Sequence, residues 1–430
     1  MRGAHLLLAL VVVGCSGDTK GSSQDGGEGD DAGNGSDAGT VDDDPVPADA
    51  IYLDPVNGSP TAPGTADAPW PGLADSIAAG LVADVPDGKT LVLLDGNHGN
   101  ATFEGEHATA VTIRAAPGAT PQLGRLELKR GSGWHLRGLT VSPAFAAAPY
   151  SGNIVSLGES GTSTDLVLED SVVYTAADAS AWTVAEWMSA NSGILLGRNG
   201  TGLAVRRTHV YNVRFGIAIT SFDSTLEGNL VNDFSADGIR VTRDGGKVID
   251  NVIKNVYVGD TDGDANHDDA IQCFLFNVGT GTVRDVTLRG NIIINREDPA
   301  QPFPAFLQGI GFFDGPLVNF TVEDNVVFVD HYHGVSLYDA QGSRITNNLT
   351  YTRWGTERRP WVMLGQKLNM ASGNTVHDNI AHSFNFTADA TVDAANNTTV
   401  TETVAEERLA ARRTAIEAAW GATLRDGAKR

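Results

Sequence analysis

The residues best suited to acid–base chemistry stand together in one short stretch, His267, Asp268 and Asp269. Adjacent carboxyl groups beside an imidazole can acquire different pKa values, so that one group donates a proton while another accepts one. A turn whose carboxylates only cap the backbone would produce the same letters. We treat the three residues as catalytic candidates. Whether they can act together depends on the secondary-structure elements that position them.

Acidic residues also alternate immediately before this stretch. Asp260, Asp262 and Asp264 supply carboxylate oxygens, which are the hard ligands that Ca²⁺ prefers. The order departs from the EF-hand pattern, because Gly263 precedes the third Asp and no Glu closes the loop. The segment therefore predicts either a Ca²⁺ site or a solvated acidic loop.

A short strand motif recurs through the middle of the chain. A small residue precedes alternating apolar residues in SGILLG, FGIAIT, DGIRVT, DAIQCF, QGIGFF, HGVSLY and PWVMLG. The spacings of 23, 22, 32, 39, 25 and 27 residues indicate a coil of about 22 to 25 residues with insertions. This period, with strict alternation inside each strand, predicts an all-β fold, a right-handed parallel β-helix.

A second strand precedes each motif, and most of these second strands carry asparagine at one position. The residues at that position are Asn229, Asn251, Asn291, Asn325, Asn348 and Asn379. Asparagine tolerates left-handed backbone, and its amide can bond to the coils above and below. Six in register therefore predict a ladder of stacked turns.

The β-helix is expected to occupy residues 51–400, with both of its ends covered. Residues 71–80 predict a short N-terminal cap helix. Residues 401–430 predict a C-terminal amphipathic helix and tail that close the other end, with Thr403 and Glu406 as its capping box. Cys273 falls at an inward position and is expected to fill the core.

The first fifty residues do not fit the repeat. Residues 1–15 hold a short apolar run and end in Val-Val-Gly-Cys, which resembles a bacterial lipoprotein signal peptide with Cys15 as the lipidated residue. An ordinary secretory signal is the alternative. Residues 16–50 hold ten acidic residues against one lysine and predict a disordered acidic tether. We expect an exported monomer, held by its lipid at the bacterial outer membrane or cell surface.

The charge of the chain limits its partners. A formal net charge of −23 argues against nucleic acid. The same charge repels a polyanion, so that an acidic polysaccharide would need local arginines or a bound cation such as Ca²⁺.

Insertions identify the face on which a ligand would bind. The connection from the second strand to the first grows from 8 residues in plain coils to 21, 18, 17 and 12 in four others. Loops from one turn of successive coils cluster along one edge and wall the adjacent strand. The outward residues of that strand form a first row of Leu195, Ala218, Arg240, Gln272, Gly311 and Ser336, and a second row of Thr220, Thr242, Phe274, Phe313 and Tyr338.

Residues 51–142 resemble a known superfamily. The segments that carry the resemblance are IYLDPVNGS, LADSIAAG, LVLLDGNHGN, VTIRAAPGATPQLG and WHLRGLTVS. They look like the opening of pectin-lyase-like extracellular β-helix proteins, with chondroitinase B and alginate lyases the most similar members. HDDAIQ is also similar to the paired-Asp element of polygalacturonases, and His333-Gly334 loosely resembles their Gly-His-Gly element, although the two elements stand two coils apart here.

The resemblance to lyases implies β-elimination on a uronate-containing polysaccharide. That reaction needs groups that stabilise the sugar carboxylate, a base and a proton donor. We expect His267 or His333 as the base, Tyr338 as the donor, and Arg240 with Arg243 as the carboxylate clamp. The substrate-binding residues would be Gln272, Phe274, Phe313 and Ser336.

Three functions remain open at this point. A polysaccharide lyase uses the groove, the aromatic row and the basic residues together. An inverting glycoside hydrolase would use Asp268 and Asp269 across a water molecule. A non-catalytic glycan-binding or envelope scaffold protein needs the fold alone.

Overall fold

Each regular coil contributes three short strands to three parallel stacks. The computed structural model describes residues 45–258, 268–273, 281–355, 357–387 and 390–420. The pairings between successive strands of each stack are parallel, so the chain forms the right-handed parallel β-helix that the sequence predicts. The sequence motifs identify two of the three strands in each coil; the third lies between them.

We call the stacks face 1, face 2 and face 3, in the order in which a coil visits them. Face 1 contains Asn153–Leu157, Ser192–Leu196, Ile217–Ile219, Ile239–Val241, Asp269–Cys273, Gln308–Phe312, His333–Tyr338, Trp361–Gly365 and Ser383–Phe386. Face 2 contains Ile51–Leu53, Thr90–Leu93, Ser163–Glu169, Gly200–Thr201, Ala204–Arg206, Thr225–Glu227, Lys247–Ile249, Thr287–Arg289, Thr321–Glu323, Arg344–Thr346, Asn374–His377 and Val392–Ala395. Face 3 contains Gly96–Asn97, Pro121–Leu123, Thr140–Val141, Val172–Tyr174, His209–Val213, Leu230–Phe234, Val252–Val256, Ile292–Ile294, Val326–Phe328, Leu349–Tyr351, Ile380–Ala381 and Thr398–Thr399.

A few strands depart from this three-way division. Asn100–Ala115 and Arg125–Arg137 are long and run from face 1 into face 2. Val283–Arg284, Leu317–Val318 and Ala340–Gln341 form a small parallel sheet in the turn between the same two faces.

The core is a column of aliphatic side chains in register along the stack. On face 1, Ile194 lies beside Ile217, and the column continues through Ile239 and Ile271 to Ile310. All five are at most 2% exposed. The alternation predicted for these strands is therefore confirmed, and Cys273 is buried in the same core as expected.

The asparagine ladder is confirmed, and its backbone differs from the prediction in one respect. Successive ladder amides bond to one another at 2.8–3.1 Å, and each also donates to a backbone carbonyl of the preceding coil. The left-handed conformation belongs to the residue before each asparagine, such as Asp250 at φ 57° or Asp324 at φ 60°. The asparagine itself contributes its side chain, because its amide can satisfy buried backbone groups on both sides.

The four long connections identified from the sequence join face 3 to face 1, as predicted. One further long connection, from Cys273 to Thr287, joins face 1 to face 2. The first of the four holds a short helix, Val184–Ser189, which begins with a capping box between Thr183 and Glu186. Its Trp187 is buried and stacks on Tyr257 at 4.3 Å between ring centroids. An earlier connection carries the 3₁₀ helix Pro143–Phe145.

The N-terminal end is covered near the predicted place. The helix Leu73–Ala78 buries Leu73 against the first coils. Residues 45–50, which the sequence assigns to the tether, also contact the first coil, where the Lys89 ammonium lies 2.6 Å from the Asp49 carboxylate.

The C-terminal helix, Glu402–Trp420, does not close the end of the solenoid as expected. It lies along the outer side of face 3, with Leu409 and Ile416 buried against Leu230, Val252, Ile292, Val326 and Leu349. The predicted capping box is also absent from the described N-terminus of this helix. Thr401 accepts the Val404 N–H, while Glu406 accepts two hydrogen bonds from the Arg353 guanidinium.

All described residues lie within one compact unit, Ala38–Arg430. Across those residues, none of the helices combines the length and the apolar composition required to cross a bilayer.

Candidate active site

Face 1 carries two neighbouring outward rows. The floor row is Leu195, Ala218, Arg240, Gln272, Gly311 and Ser336, and the strand pairings place these residues in register as predicted. The corner row contains the residue that precedes the small residue of the first six motifs, and Trp361, which pairs with His333 in the seventh. Its members are Ser192, Phe215, Asp237, Asp269, Gln308, His333 and Trp361. Of the corner row, only Asp269 and His333 are among the candidate site residues predicted from the sequence.

A small residue after most members of the corner row, glycine in five cases and Ala270 after Asp269, explains why that row faces outward. A Cβ added to Gly216 would lie 2.6 Å from Val231 Cγ1, and one added to Gly309 would lie 2.6 Å from Val327 Cγ1. The small residue therefore presses against face 3 inside the core, and the strict alternation of the strand is interrupted there. The side chain before it consequently lies on the outside, beside the floor row.

Asp237 and Asp269 meet Arg240 and Gln272 where these two rows adjoin. The Arg240 Nε donates to Asp237 Oδ2 at 2.5 Å, and its guanidinium lies over the Phe215 ring at 3.7 Å from the centroid. The Asp269 N–H donates to Asp237 Oδ1 at 3.1 Å. The Gln272 amide donates to Asp269 Oδ2 at 2.7 Å. We call these four residues, with Asp268, the Asp cluster.

The surroundings of Asp269 favour its protonated form. Complete burial raises the pKa of Asp269 well above the ordinary value of 3.8, and the nearby charges of Asp237 and Asp268 raise it further, against the effects of Gln272 and Arg240. Its Oδ1 has no hydrogen-bond partner among the described residues. A Cβ at Gly311 would lie 2.4 Å from that oxygen and 2.5 Å from the Phe313 ring, so glycine lets the floor row pack closely against both side chains.

Two further polar residues border Asp269. The side chain of Asp268 is buried, with 3% of the residue exposed. Gln308, the partner of Asp269 on the next coil, is 4% exposed, and within the described segments its Oε1 accepts no hydrogen bond. Buried acceptors left without a donor are costly, which makes this part of the corner row a place where a ligand hydroxyl would be stabilised.

A second group of side chains lies further along the same face. His333 Nδ1 is 2.8 Å from the Ser336 hydroxyl, and the Trp361 indole N–H donates to both atoms at 3.3–3.4 Å. The Phe313 ring contacts His333 at 4.9 Å and Tyr338 at 5.8 Å between centroids. Burial raises the pKa of the Tyr338 phenol, so it keeps its proton at neutral pH. We call these five residues the aromatic group.

The structure thus divides the predicted site into two groups. Asp268, Asp269, Arg240 and Gln272 come together, whereas His333, Ser336 and Tyr338 lie two coils beyond Asp269, roughly 10 Å along the stack at about 4.8 Å per coil. Phe313 lies between the two groups, one coil beyond Asp269, because a Cβ on Gly311 would touch both its ring and the Asp269 carboxyl group. Ser336 is completely buried under His333 and Trp361, so it positions those rings instead of lining an open floor.

Arg240 and Arg243 do not form a pair on the floor. The guanidinium of Arg240 is occupied by Asp237 at the corner row. Arg243 lies beyond the other end of the strand, in the turn towards face 2, where it packs over Phe222 at 5.7 Å from the ring centroid. The carboxylate clamp predicted from the sequence is therefore not assembled in this arrangement.

Several predicted residues lie outside the described part of the chain. They are Cys15, Asp260, Asp262, Asp264, His267 and Phe274. The Ca²⁺ site and the assignment of His267 as base therefore stay predictions. Among the residues that are described, no three or more His, Cys, Asp or Glu side chains are grouped so as to hold a metal ion.

Asp237, Phe215, Gln308 and Trp361 are the residues that sequence reasoning missed. Asp237, Phe215 and Gln308 directly precede the small residue of their motifs, and Trp361 occupies the position of the small residue in its own motif. An alignment of the motifs that includes these two positions, as well as the apolar triplets, would have found them. The resulting cluster holds three carboxyl groups, one of them protonated, beside a single guanidinium. Such a set can donate a proton to a leaving oxygen and accept one from water.

Comparison with known proteins agrees with the fold. Residues 192–350 match the family model described as a right handed beta helix region. No curated protein matches the chain.

Solved structures with a similar winding share very little sequence with this chain. A mannuronic acid specific polysaccharide family 6 lyase from human gut microbiota is 13% identical, with coverage of 81% of this chain and 94% of its own and a TM-score of 0.49. XylC in complex with xylose is 10% identical, covering 77% and 75%, with a TM-score of 0.47. Pectate lyase Pel9A is 12% identical, covering 76% and 80%, with a TM-score of 0.46.

Proposed function

We propose that this protein hydrolyses glycosidic bonds, with Asp269 as the general acid. The observation that carries the proposal is the Asp cluster. In it, the buried Asp269 carboxyl group has a raised pKa, and the neighbouring Asp237 carboxylate accepts the Asp269 N–H and is paired with Arg240. Glycoside hydrolysis requires two carboxyl groups in opposite protonation states. Burial and the neighbouring charges supply that difference here.

The second carboxyl group would act on water. Asp237 is held by Arg240 and by the Asp269 N–H, so its orientation is fixed. Asp268 adjoins Asp269 in the chain and is the alternative. In an inverting reaction, Asp269 protonates the departing sugar oxygen while this carboxylate removes a proton from the attacking water.

Side chains further along the groove suit a sugar chain. Tyr332 is 42% exposed and stacks on Trp361 at 5.3 Å, in line with the aromatic group. Sugar rings pack their C–H faces on such aromatic surfaces and direct hydroxyls to polar neighbours such as Gln308. The Asp cluster has three carboxyl groups and one guanidinium, which favours a neutral sugar over a uronate at the cleavage point.

Replacement of Asp269 by Asn tests the proposal. Asn has the same shape as Asp, and its side-chain oxygen can still accept the hydrogen bond from the Gln272 amide. Because Asn has no acidic proton, the rate of hydrolysis should fall by about 10²- to 10⁴-fold. The full chain is incubated with a panel of neutral and acidic glycans, and reducing ends are counted. Asp393→Asn, at an exposed carboxylate far from face 1, serves as the matched control and should keep full activity. An Asp269→Asn enzyme as active as the wild type would exclude Asp269 as the acid.

Elimination stays the second candidate, because His333 and the proton-bearing Tyr338 share one side of the groove. Elimination produces an unsaturated uronate that absorbs ultraviolet light, whereas hydrolysis produces reducing ends without that absorbance. Absorbance that is lost in His333→Ala and retained in Asp269→Asn would favour this reaction. Absence of both signals on the whole panel would favour a glycan-binding or scaffold role.

We also propose that the protein is exported and attached by lipid at Cys15, as the Val-Val-Gly-Cys sequence predicts. Incorporation of a labelled fatty acid that disappears in Cys15→Ala is the measurement. An acidic tether would then hold the groove away from the membrane.

A further inference from the structure

A cavity adjoins the Asp cluster on the N-terminal side of face 1. It has a volume of about 150 Å³ and is lined in part by Asn153, Ser192, Leu195, Phe215 and Ala218. Asp237 and Arg240 form its other wall, so the cavity and the Asp cluster share two side chains. A sugar ring next to the cleaved bond would therefore reach into it.

The floor of this cavity is apolar. Leu195 and Ala218 are adjacent members of the floor row. Thr220 and Thr242 lie beyond them, and their hydroxyls donate to the carbonyls of Leu196 and Ile219 at 2.7 and 3.2 Å. These hydroxyl protons are therefore committed to the backbone. A polar substituent would lose its water contacts here, whereas a methyl group would gain from burial.

The rim of the cavity is polar. The amide of Asn153 and the hydroxyl of Ser192 lie on neighbouring strands in register with each other, and both residues are partly exposed. An amide and a hydroxyl can each donate and accept hydrogen bonds. The cavity thus combines a site for a small apolar group with hydrogen-bond donors and acceptors at its rim. Liquid water occupies about 30 Å³ per molecule, so there is room for a substituent of several heavy atoms.

We infer that this cavity receives the acetamido group of an N-acetylated amino sugar. The acetyl methyl would lie on Leu195 and Ala218, and the amide would bond to Asn153 and Ser192. This inference rests on the proposed glycosidase function for the orientation of the sugar, and it defines the substrate class as glycans that contain 2-acetamido sugars. The Arg240 guanidinium is engaged by Asp237, and it accordingly contributes to the shape of the wall.

Ligand-observed saturation-transfer NMR on the full chain tests the inference without any turnover. The probes are the methyl glycosides of N-acetylglucosamine and N-acetylgalactosamine, with methyl glucoside and methyl galactoside as their hydroxyl counterparts. We expect the acetyl methyl to receive the strongest saturation, and the acetamido sugars to bind at least about tenfold more tightly, as one buried methyl group in a pocket can provide. Ala218→Phe, which fills the cavity, should remove this preference. Ala411→Phe, on the exposed side of the C-terminal helix, is the matched control and should preserve it.

The outcomes separate this inference from the proposed function. Equal binding of acetamido and hydroxyl sugars, or an unchanged preference in Ala218→Phe, overturns the inference even in a protein that cleaves glycans. Preferential binding of the acetamido probes by a protein that cleaves nothing supports the inference and contradicts the glycosidase. Circular dichroism of Ala218→Phe verifies that the fold is kept, and Ala218→Leu provides a smaller filling side chain that should weaken the preference to an intermediate degree.

Discussion

Burial controls the protonation of two aspartates on different faces of the solenoid. Asp269 lies in the Asp cluster on face 1. Asp233 lies on face 3, where burial raises its pKa to about 6 although the charge of Lys254 acts in the opposite direction. Lys254 is itself paired with Glu297 at 2.6 Å. Burial thus makes Asp269 a candidate acid, whereas at Asp233 the same effect only lowers the stability of the folded protein at neutral pH.

Asp233→Asn is expected to stabilise the protein above pH 6. Between the ordinary pKa of 3.8 and about 6, the folded state keeps the Asp233 proton that the unfolded chain releases, so wild-type stability falls as pH rises through this window. Asn does not ionise, so the variant does not lose this stability, and Asn tolerates the left-handed backbone at φ 55°. The free energy of unfolding of the variant, relative to wild type, should be about 3 kcal/mol higher at pH 7 than at pH 3.5.

The matched control is Asp223→Asn, at an exposed position with φ 51°. Denaturant unfolding at both pH values should give the same small difference from wild type. If Asp233→Asn behaved in the same pH-independent way, the elevated pKa of Asp233 would be refuted.

At the scale of residues, four of the five members of the Asp cluster could be predicted from the sequence. Asp268, Asp269, Arg240 and Gln272 are predictable because a carboxylate pair and an outward row are visible as letters and spacing. Asp237 is not, since alternation counted from the buried isoleucines assigns it to the interior. The glycine that follows Asp237 packs against face 3, and this contact places the Asp237 side chain on the outside. The contact joins two faces of the solenoid, so the alternation of one strand does not reveal it.

The ladder is the element that fixes the register of the coils. The side-chain oxygen of Asn291 accepts hydrogen bonds from the backbone N–H and the side-chain amide of Asn251 on the preceding coil. Its side-chain NH₂ donates to the Val248 carbonyl of the preceding coil and to Asn325 of the next one, so one side chain satisfies several buried groups. Asn291→Ala should lower the free energy of unfolding by about 2–4 kcal/mol, because the Asn251 N–H and the Val248 carbonyl lose their partners inside the protein. Chemical denaturation measures the change.

Asn397→Ala provides the comparison at the end of the ladder, where the side chain is partly exposed and water can replace the lost bonds. Its cost should be clearly smaller. Equal costs at the two positions would mean that burial of the ladder adds nothing to its strength.

At the scale of elements, the repeated patterns were predictable and the irregular segments were not. The strands of faces 1 and 3 follow from alternation and from the asparagine column. Face 2 escaped notice because its strands are short, often three residues, and carry polar side chains such as Arg206 and Glu227 outward. The helix Val184–Ser189 lies in an insertion, where no repeat constrains the sequence.

For the whole molecule, the C-terminal helix acts as a brace across the coils. Arg412 bonds to Asp250 and to the Gly290 carbonyl, Arg413 bonds to Glu297, and Arg408 bonds to Asn347. A solenoid otherwise holds each coil only through its neighbours. Contacts from one helix to several coils should make the central part of the stack unfold as a single unit.

Leu409→Ala tests the brace. Leu409 is 1% exposed, and loss of its side chain should cost about 2–4 kcal/mol and lower Tm. Glu407→Ala, on the exposed side of the same helix, should change Tm little. A Tm for Leu409→Ala equal to that of the control would show that the helix contributes nothing to the stability of the stack.

The brace also has a consequence for how the protein can change during evolution. The helix contacts the six strands of face 3 that begin between Leu230 and Ile380. Six strands spaced at about 4.8 Å span roughly 24 Å, and a 19-residue helix is roughly 28 Å long, so the two lengths match. Duplication or deletion of a repeat beneath the helix would therefore misalign its arginines with their partners. We therefore expect whole repeats to be gained more easily before residue 230, and the segment that bears the Asp cluster to vary mainly in the length of its loops.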